Sequence, residues 1–204
     1  MARLFIFGLG YTAKRIAQAA SAEGFTVSAT GSAGDVDFDD SEAVADAVAQ
    51  ADHVLSSVPP ADETDPVLDL YGDLLEGKWL GYLSSTGIYG DAGGAWVDEP
   101  PPTGEGRRTA RAECDARWLE KGARVFRLPG IYGPGRSIFE RLDQGRAHRI
   151  DLPGQVFSRI HVEDIVAGVM AAIASDAPSG AYNLSDDLPT SQNAVVEEAC
   201  RLTG

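Results

Sequence analysis

The chain has 204 residues, 44% of them apolar, which is enough for one domain with a buried core. Seventeen basic residues stand against 31 acidic ones, a formal net charge of -14, and so acidic a surface repels phosphate backbones and argues against a nucleic-acid partner. No apolar run reaches the ~20 residues needed to cross a bilayer and no signal-peptide pattern opens the chain, so a cytoplasmic protein with no membrane partner is expected.

In chain order, Arg3–Phe7 reads as a short apolar strand of the kind buried on both faces. A helix is predicted over residues 11–22, with Ile16, Ala19 and Ala20 on its inner stripe and Gly24 ending it. Phe25–Thr30 is the second predicted strand and Val36–Phe38 a short third one, with Ser41 capping a helix over 42–50. Val54–Val58 is the fourth strand, stopped by Pro59-Pro60, and a helix over about 64–76 follows. Trp79–Ser85 is the fifth strand, 90–106 a glycine- and proline-rich loop, and 107–121 a helix. Arg124–Leu128 is the sixth strand, and Gly130–Gly135 reads as a turn. An amphipathic helix over 163–174, a last strand Ala181–Leu184 and a helix over 190–202 complete the pattern. Strand and helix alternate throughout, which predicts an α/β fold: a doubly wound parallel sheet with helices on both faces, as in Rossmann domains.

The turn Gly8-x-Gly10-x-x-Ala13 follows the first strand and opens the first helix. Gly8 permits the tight turn, Gly10 lets backbone approach a diphosphate, and Ala13 lets the helix pack on the sheet. The first-turn amides, including those of Tyr11, Thr12 and Ala13, and the helix dipole favour an anion there. These features predict NAD(P) as cofactor; a purely architectural turn is the bland alternative. An acid after the second strand would mark NAD, and an arginine NADP. The chain reads Ala29-Thr30-Gly31-Ser32-Ala33-Gly34 and has neither. Lack of the acid leans toward NADP, with Thr30, Ser32 and Lys14 as donors to its extra phosphate. Asp37 suits an adenine contact or plain solvation. Cys114 and Cys200 show no CxxC spacing, and His53, His148 and His161 form no ligand pattern, so no metal site is expected.

Five stretches together resemble the extended short-chain dehydrogenases/reductases, also called the NAD-dependent epimerase/dehydratase family. They are Gly8–Ala13, Leu83–Gly90 (LSSTGIYG), Arg127–Gly135 (RLPGIYGPG), Ile160–Ile165 (IHVEDI) and Gly180–Leu184 (GAYNL). The resemblance implies that Ser85 is the catalytic residue that hydrogen-bonds the substrate oxygen. It also implies that Ser57 and Val58 pass the cofactor, and that Pro129 and Gly130 lie beside the nicotinamide. It implies a small-molecule, sugar-nucleotide-like substrate and a homodimer through helices 64–76 and 107–121.

One departure is large. The family's acid/base pair is Tyr-x-x-x-Lys, followed by Ala-Glu. Matching that Ala-Glu to Ala112-Glu113 puts Glu105 at the tyrosine position and Thr109 at the lysine position, where neither does the same chemistry. The segment carries Arg107 and Arg111 instead, four apart on one helix face, suited to an anionic substrate, a cofactor phosphate or plain solvation. Arginine is a poor base because it stays protonated. This pattern is similar to an atypical branch of the family. Tyr89 is a substitute proton donor to consider. Tyr132 and His161 lie beside the expected substrate, although His161 also suits orienting a loop. The helix usual between the second and third strands is missing, and the chain stops at Gly204. One domain over 1–204 is therefore expected, with residues 134–160 and 185–204 forming a reduced, truncated C-terminal substrate lobe. The leading expectation is an NAD(P)-dependent oxidoreductase or epimerase-like enzyme. The rival is a non-catalytic NAD(P)-binding sensor or regulatory protein.

Overall fold

A computed structural model describes residues 1–100 and 110–204. Six parallel strands form the central sheet in the order β2-β1-β3-β4-β5-β8. They are β1 (Arg3–Phe7), β2 (Thr26–Ala29), β3 (His53–Ser56), β4 (Trp79–Ser85), β5 (Arg124–Leu128) and β8 (Gly180–Asn183). A second, two-stranded parallel sheet pairs β6 (Gly130–Tyr132) with β7 (Arg159–His161). The helices are α1 (Tyr11–Ala22), α2 (Ser41–Gln50), α3 (Pro66–Tyr71), α4 (Ala110–Glu120), α5 (Ile138–Asp143), α6 (Val162–Ala174) and α7 (Gln192–Thr203).

Side-chain alternation along β1 divides the interior in two. Leu4 and Ile6 face α1 and α6, where Ile16, Ile165 and Val169 pack. Phe5 and Phe7 face the opposite core, built with Val44 and Val48 of α2, Tyr71 of α3 and Trp118 of α4. Both faces of the sheet are thus covered, which is why β1 reads as a continuous apolar run rather than an alternating one. No helix among the described residues is long and apolar enough to cross a membrane.

Several boundaries differ from the sequence reading. Val36–Phe38 forms no strand; only an isolated bridge joins Thr30 to Val36, and Phe38 is held from the other side by aromatic contacts with Phe7 and Tyr71. Asp40, not Ser41, caps α2, its carboxylate accepting from Ala43 N at 3.0 Å. The helix expected over 64–76 is α3 followed by a 3₁₀ turn, Gly72–Leu75. Gly130–Gly135 is not simply a turn, since its first three residues are β6. Helix α5 was not legible as periodicity, being only six residues long. Its capping box, Ser137 with Glu140, was the available signal.

No helix fills the segment between β2 and α2. The groove between α1 and the edge strand β2 is consequently open. It holds a cavity of about 540 Å³ that Lys14, Ala17, Val27 and Asp35 help to line.

Candidate functional site

The strand order reverses between β1 and its two neighbours, β2 and β3, and a crevice outside the carboxyl ends of the strands is where open α/β sheets take ligands. All the sheet's strands are parallel, so the segments leaving β1, β3, β4 and β5 gather on that one edge.

The glycine turn is fixed from both flanks. Gly8 N donates to Thr30 Oγ1 at 3.0 Å, Leu9 N donates to Thr30 O at 2.8 Å, and Ser57 Oγ donates to Gly8 O at 3.0 Å. Gly8 has φ +83°, and a Cβ there would meet Val58 Cγ2 at 2.9 Å. Gly10 is different: its φ is -86°, and a Cβ would meet nothing within 4 Å. Gly10 therefore borders open space just where α1 begins. Among the described residues no side chain caps α1, so its first amides are left for an outside acceptor. These residues fit a dinucleotide diphosphate.

The other expected cofactor residues fall into two groups. Thr30 is only 1% exposed, and its hydroxyl is engaged by Gly8 N, so it shapes the turn from behind. Thr12 and Ala13 are buried under the helix start. Ser32 and Asp37 are exposed, and Asp37 takes Asp39 N at 3.1 Å. Asp35, also near the end of β2, is turned back onto Ala29 N at 2.7 Å. Val58 and Pro129 are half-buried and Gly130 exposed on the ligand edge. Tyr11 reaches the segment after β6: its hydroxyl donates to Pro134 O at 2.9 Å, and the guanidinium groups of Arg15 and Arg136 lie 4.0 and 4.2 Å from its ring centre.

Ser85 ends β4, half-buried, in register with Leu128 of β5. Its Oγ accepts from Gly87 N at 3.1 Å, which caps the 3₁₀ turn Thr86–Tyr89 and leaves the hydroxyl hydrogen free to donate. Tyr89 is placed otherwise than a proton donor requires. It is buried, donates to Asn183 Oδ1 at 2.7 Å and accepts from Arg127 at 3.0 Å. Both sides of its hydroxyl are taken in the interior. Tyr132 donates to Asp186 Oδ2 at 2.9 Å. Burial first, then that hydrogen bond, push its phenol up from the ordinary value. His161 caps α6, its Nδ1 accepting from Glu163 N at 3.3 Å, and its ring packs edge-on to Tyr132. Arg107, Glu105 and Thr109 lie outside the described residues; Arg111 is in the first turn of α4, half-buried.

Two clusters escaped the sequence reading. One is a buried ion pair, Arg127–Asp115, at 2.7 Å, with both side chains almost wholly enclosed. Ser84 Oγ also donates to Asp115 at 2.6 Å, and Arg127 donates to Glu99 O at 2.7 Å. This network clamps α4 to β4 and β5 behind Ser85. The other is a cavity of about 390 Å³ lined by Ile131, Gly135, Arg136, Arg141 and Arg146. Its signal was available, since four arginines fall within residues 136–149 of so acidic a chain.

No protein-family model matches the chain, and no curated protein does. Solved structures do. A functionally unknown conserved protein from Silicibacter pomeroyi is 37% identical, with a TM-score of 0.83, the match covering 100% of this chain and 79% of that one. The dTDP-glucose 4,6-dehydratase of Bacillus anthracis, solved in complex with NAD, is 14% identical with a TM-score of 0.81, over 100% and 82% of the two chains. The UDP-glucose 4-epimerase of Thermotoga maritima, solved with UDP-glucose, is 17% identical with a TM-score of 0.73, over 99% and 82%. The chain belongs to the family of the Silicibacter pomeroyi protein, and its fold is that of the extended short-chain dehydrogenases/reductases, the NAD-dependent epimerase/dehydratase family.

Proposed function

We propose that the chain binds NAD(P) across the edge of β1, β3, β4 and β5 and acts as an oxidoreductase or epimerase-like enzyme on a small, sugar-nucleotide-like substrate. The observation that carries this reading is the Gly10 turn: an uncapped helix start, braced from behind by Thr30 and Ser57, beside space that a single Cβ would enter. A bound nicotinamide supplies hydride exchange with a substrate carbon. Ser85 holds the oxygen on that carbon with its free hydroxyl hydrogen. Ser57 and Val58 flank the cofactor, and Pro129 and Gly130 border its nicotinamide end. The fold neighbours from Bacillus anthracis and Thermotoga maritima, named for NAD and UDP-glucose complexes, support the same ligand classes.

The family's proton relay is replaced rather than merely misaligned. On α4 the carboxylate turned to the sheet is Asp115, while Glu113 is exposed. Matching Asp115 to the family's glutamate shifts the register by two residues. Arg107 and Arg111 then take the tyrosine and lysine positions. Two arginines cannot accept a proton but can bind an anion. The engaged hydroxyl of Tyr89 favours a second reading, a non-catalytic NAD(P)-binding protein, because it removes the substitute donor expected from sequence.

Titration with NADPH and NADH, followed by energy transfer from Trp79, Trp96 and Trp118, tests the site. Saturable binding is expected, and because Ala29–Gly34 carries no acid and Asp35 is turned back onto Ala29 N, the expected preference is for NADPH. Binding of neither dinucleotide by folded protein overturns the reading. A substrate-dependent turnover that Ser85→Ala abolishes, with dinucleotide affinity kept, separates enzyme from sensor.

A further inference from the structure

We propose that Glu99 is a positioning residue of the site: it latches the segment that follows Ser85 onto the carboxyl ends of β5 and β8, and so holds Ser85 and the Pro129–Gly130 exit in a fixed relation. This rests on the functional reading above only for what that relation serves, the nicotinamide end of the dinucleotide.

The segment needs a tie. Past the 3₁₀ turn Thr86–Tyr89, residues 90–98 and Pro100 are all exposed, Trp96 to 80%. Glu99 alone of residues 90–100 is half-buried, and it is held twice. Its main-chain oxygen accepts from Arg127 Nη1 at 2.7 Å, and its carboxylate Oε1 accepts from Asn183 N at 2.9 Å. β8 is an edge strand of the sheet. The amide that it turns toward β5 at this end is Leu184 N, which reaches Arg127 O, so Asn183 N faces the open edge. An edge amide has no ladder partner of its own. Glu99 supplies one from 84 residues away in the chain.

The same two residues hold the start of the segment. Tyr89 donates to Asn183 Oδ1 at 2.7 Å and accepts from Arg127 Nη1 at 3.0 Å. Arg127 and Asn183 are themselves neighbours across β5 and β8. Residues 89 and 99 thus close a loop on one pair of anchors. Ser85 opens the 3₁₀ turn that ends at Tyr89 and caps it with its own Oγ. On the other side, Pro129 and Gly130 follow directly on β5, just past Arg127. Released, the exposed segment would sample many conformations and pull on Tyr89, the last tie before Ser85. Hydrogen bonds that involve a guanidinium or a carboxylate are the stronger kind, so one residue suffices to hold it. A binding group kept in place only through such support is sensitive to its loss.

The test compares E99A, E99Q and D98A with the parent in the whole chain, by two readouts. The first is chymotrypsin cleavage after Trp96, located by mass spectrometry; Trp79 and Trp118 are buried. The second is calorimetric titration of NADPH beside ADP, which carries adenosine and diphosphate without a nicotinamide. E99A should be cut at Trp96 about tenfold faster and bind NADPH about tenfold more weakly, with ADP affinity unchanged. E99Q keeps an oxygen for Asn183 N and should restore both, and D98A, the exposed neighbour, should match the parent. Cleavage of E99A at the parental rate overturns the latch. Faster cleavage with NADPH affinity intact overturns the positioning role and leaves Glu99 a purely structural tie. NADPH and ADP weakened alike overturn it too, because the effect then extends to the start of α1. If the parent binds neither nucleotide, the functional reading fails, while faster cleavage in E99A with rescue by E99Q would still uphold the latch.

Discussion

Gly8 and Gly10 stand two residues apart and serve opposite ends, which gives a clean experiment. Gly8 has a left-handed backbone and a neighbour at 2.9 Å from its would-be Cβ. Gly8→Ala should destabilise by roughly 1–2 kcal/mol from the backbone alone, more with the clash. Gly10 has φ -86° and ψ -163° with an empty Cβ direction, a conformation open to any residue. Gly10→Ala should leave stability unchanged or raise it by about 0.4–1 kcal/mol, yet lose dinucleotide binding. Urea denaturation beside NADPH titration reads both. A Gly10→Ala protein that binds normally would show that the space beside Gly10 is not the diphosphate's. The cysteines make a second contrast. Burial, then the nearby Asp65 carboxylate, push the Cys114 thiol up to about 11, while Cys200 is exposed. One thiol should react with a disulfide reagent in the native protein and two after unfolding; two fast native thiols would contradict the buried position of Cys114.

At the scale of elements, the alternation of strand and helix and the glycine turn were legible because each is a local pattern. Arg3–Phe7, Trp79–Ser85 and Arg124–Leu128 carry enough apolar and β-branched or aromatic residues to show their boundaries. What was not legible depends on distant partners. β6 exists only because β7 lies beside it, and its sequence, Gly-Ile-Tyr, reads as a turn. The role of Asp115 is likewise invisible until α4 packs, since Glu113 looks equally suitable two residues earlier. The same packing reassigns Tyr89 from candidate acid to the interior network. Breaking that network should be severe: Asp115→Ala leaves Arg127 buried without its counter-charge and should cost about 3–5 kcal/mol. Replacing both partners with apolar residues of similar volume, as in D115L/R127M, should recover much of that loss. Comparing the two unfolding midpoints measures it. Equal losses would mean that α4 is held chiefly by Trp118 and its stack on Tyr82.

For the whole molecule, pH and salt act on different groups. His53 sits between Phe25 and Trp79, and its Nδ1 is buried without a hydrogen-bond partner. Burial lowers its pKa, outweighing the raising effect of Asp52. The unfolded chain then binds the proton more readily, so stability present above the unfolded value of about 6.5 is lost as pH falls through the folded value. Asp69 and Glu198 are held down by hydrogen bonds to Thr64 and Arg201 respectively, and their contribution is lost only in the lower, carboxylate range. A urea midpoint that declines between pH 7 and 5.5 in the parent, and declines less in His53→Gln, is the expected outcome. Parallel declines would assign the loss to other groups. Salt should act with the opposite sign. Five of the six ion pairs among the described residues include an exposed or partly exposed side chain, so screening them costs little. The self-repulsion of a -14 chain is long-ranged and is screened strongly. Raising ionic strength at pH 8 should therefore raise the unfolding midpoint. A midpoint that falls with salt would mean that local pairs outweigh the net charge.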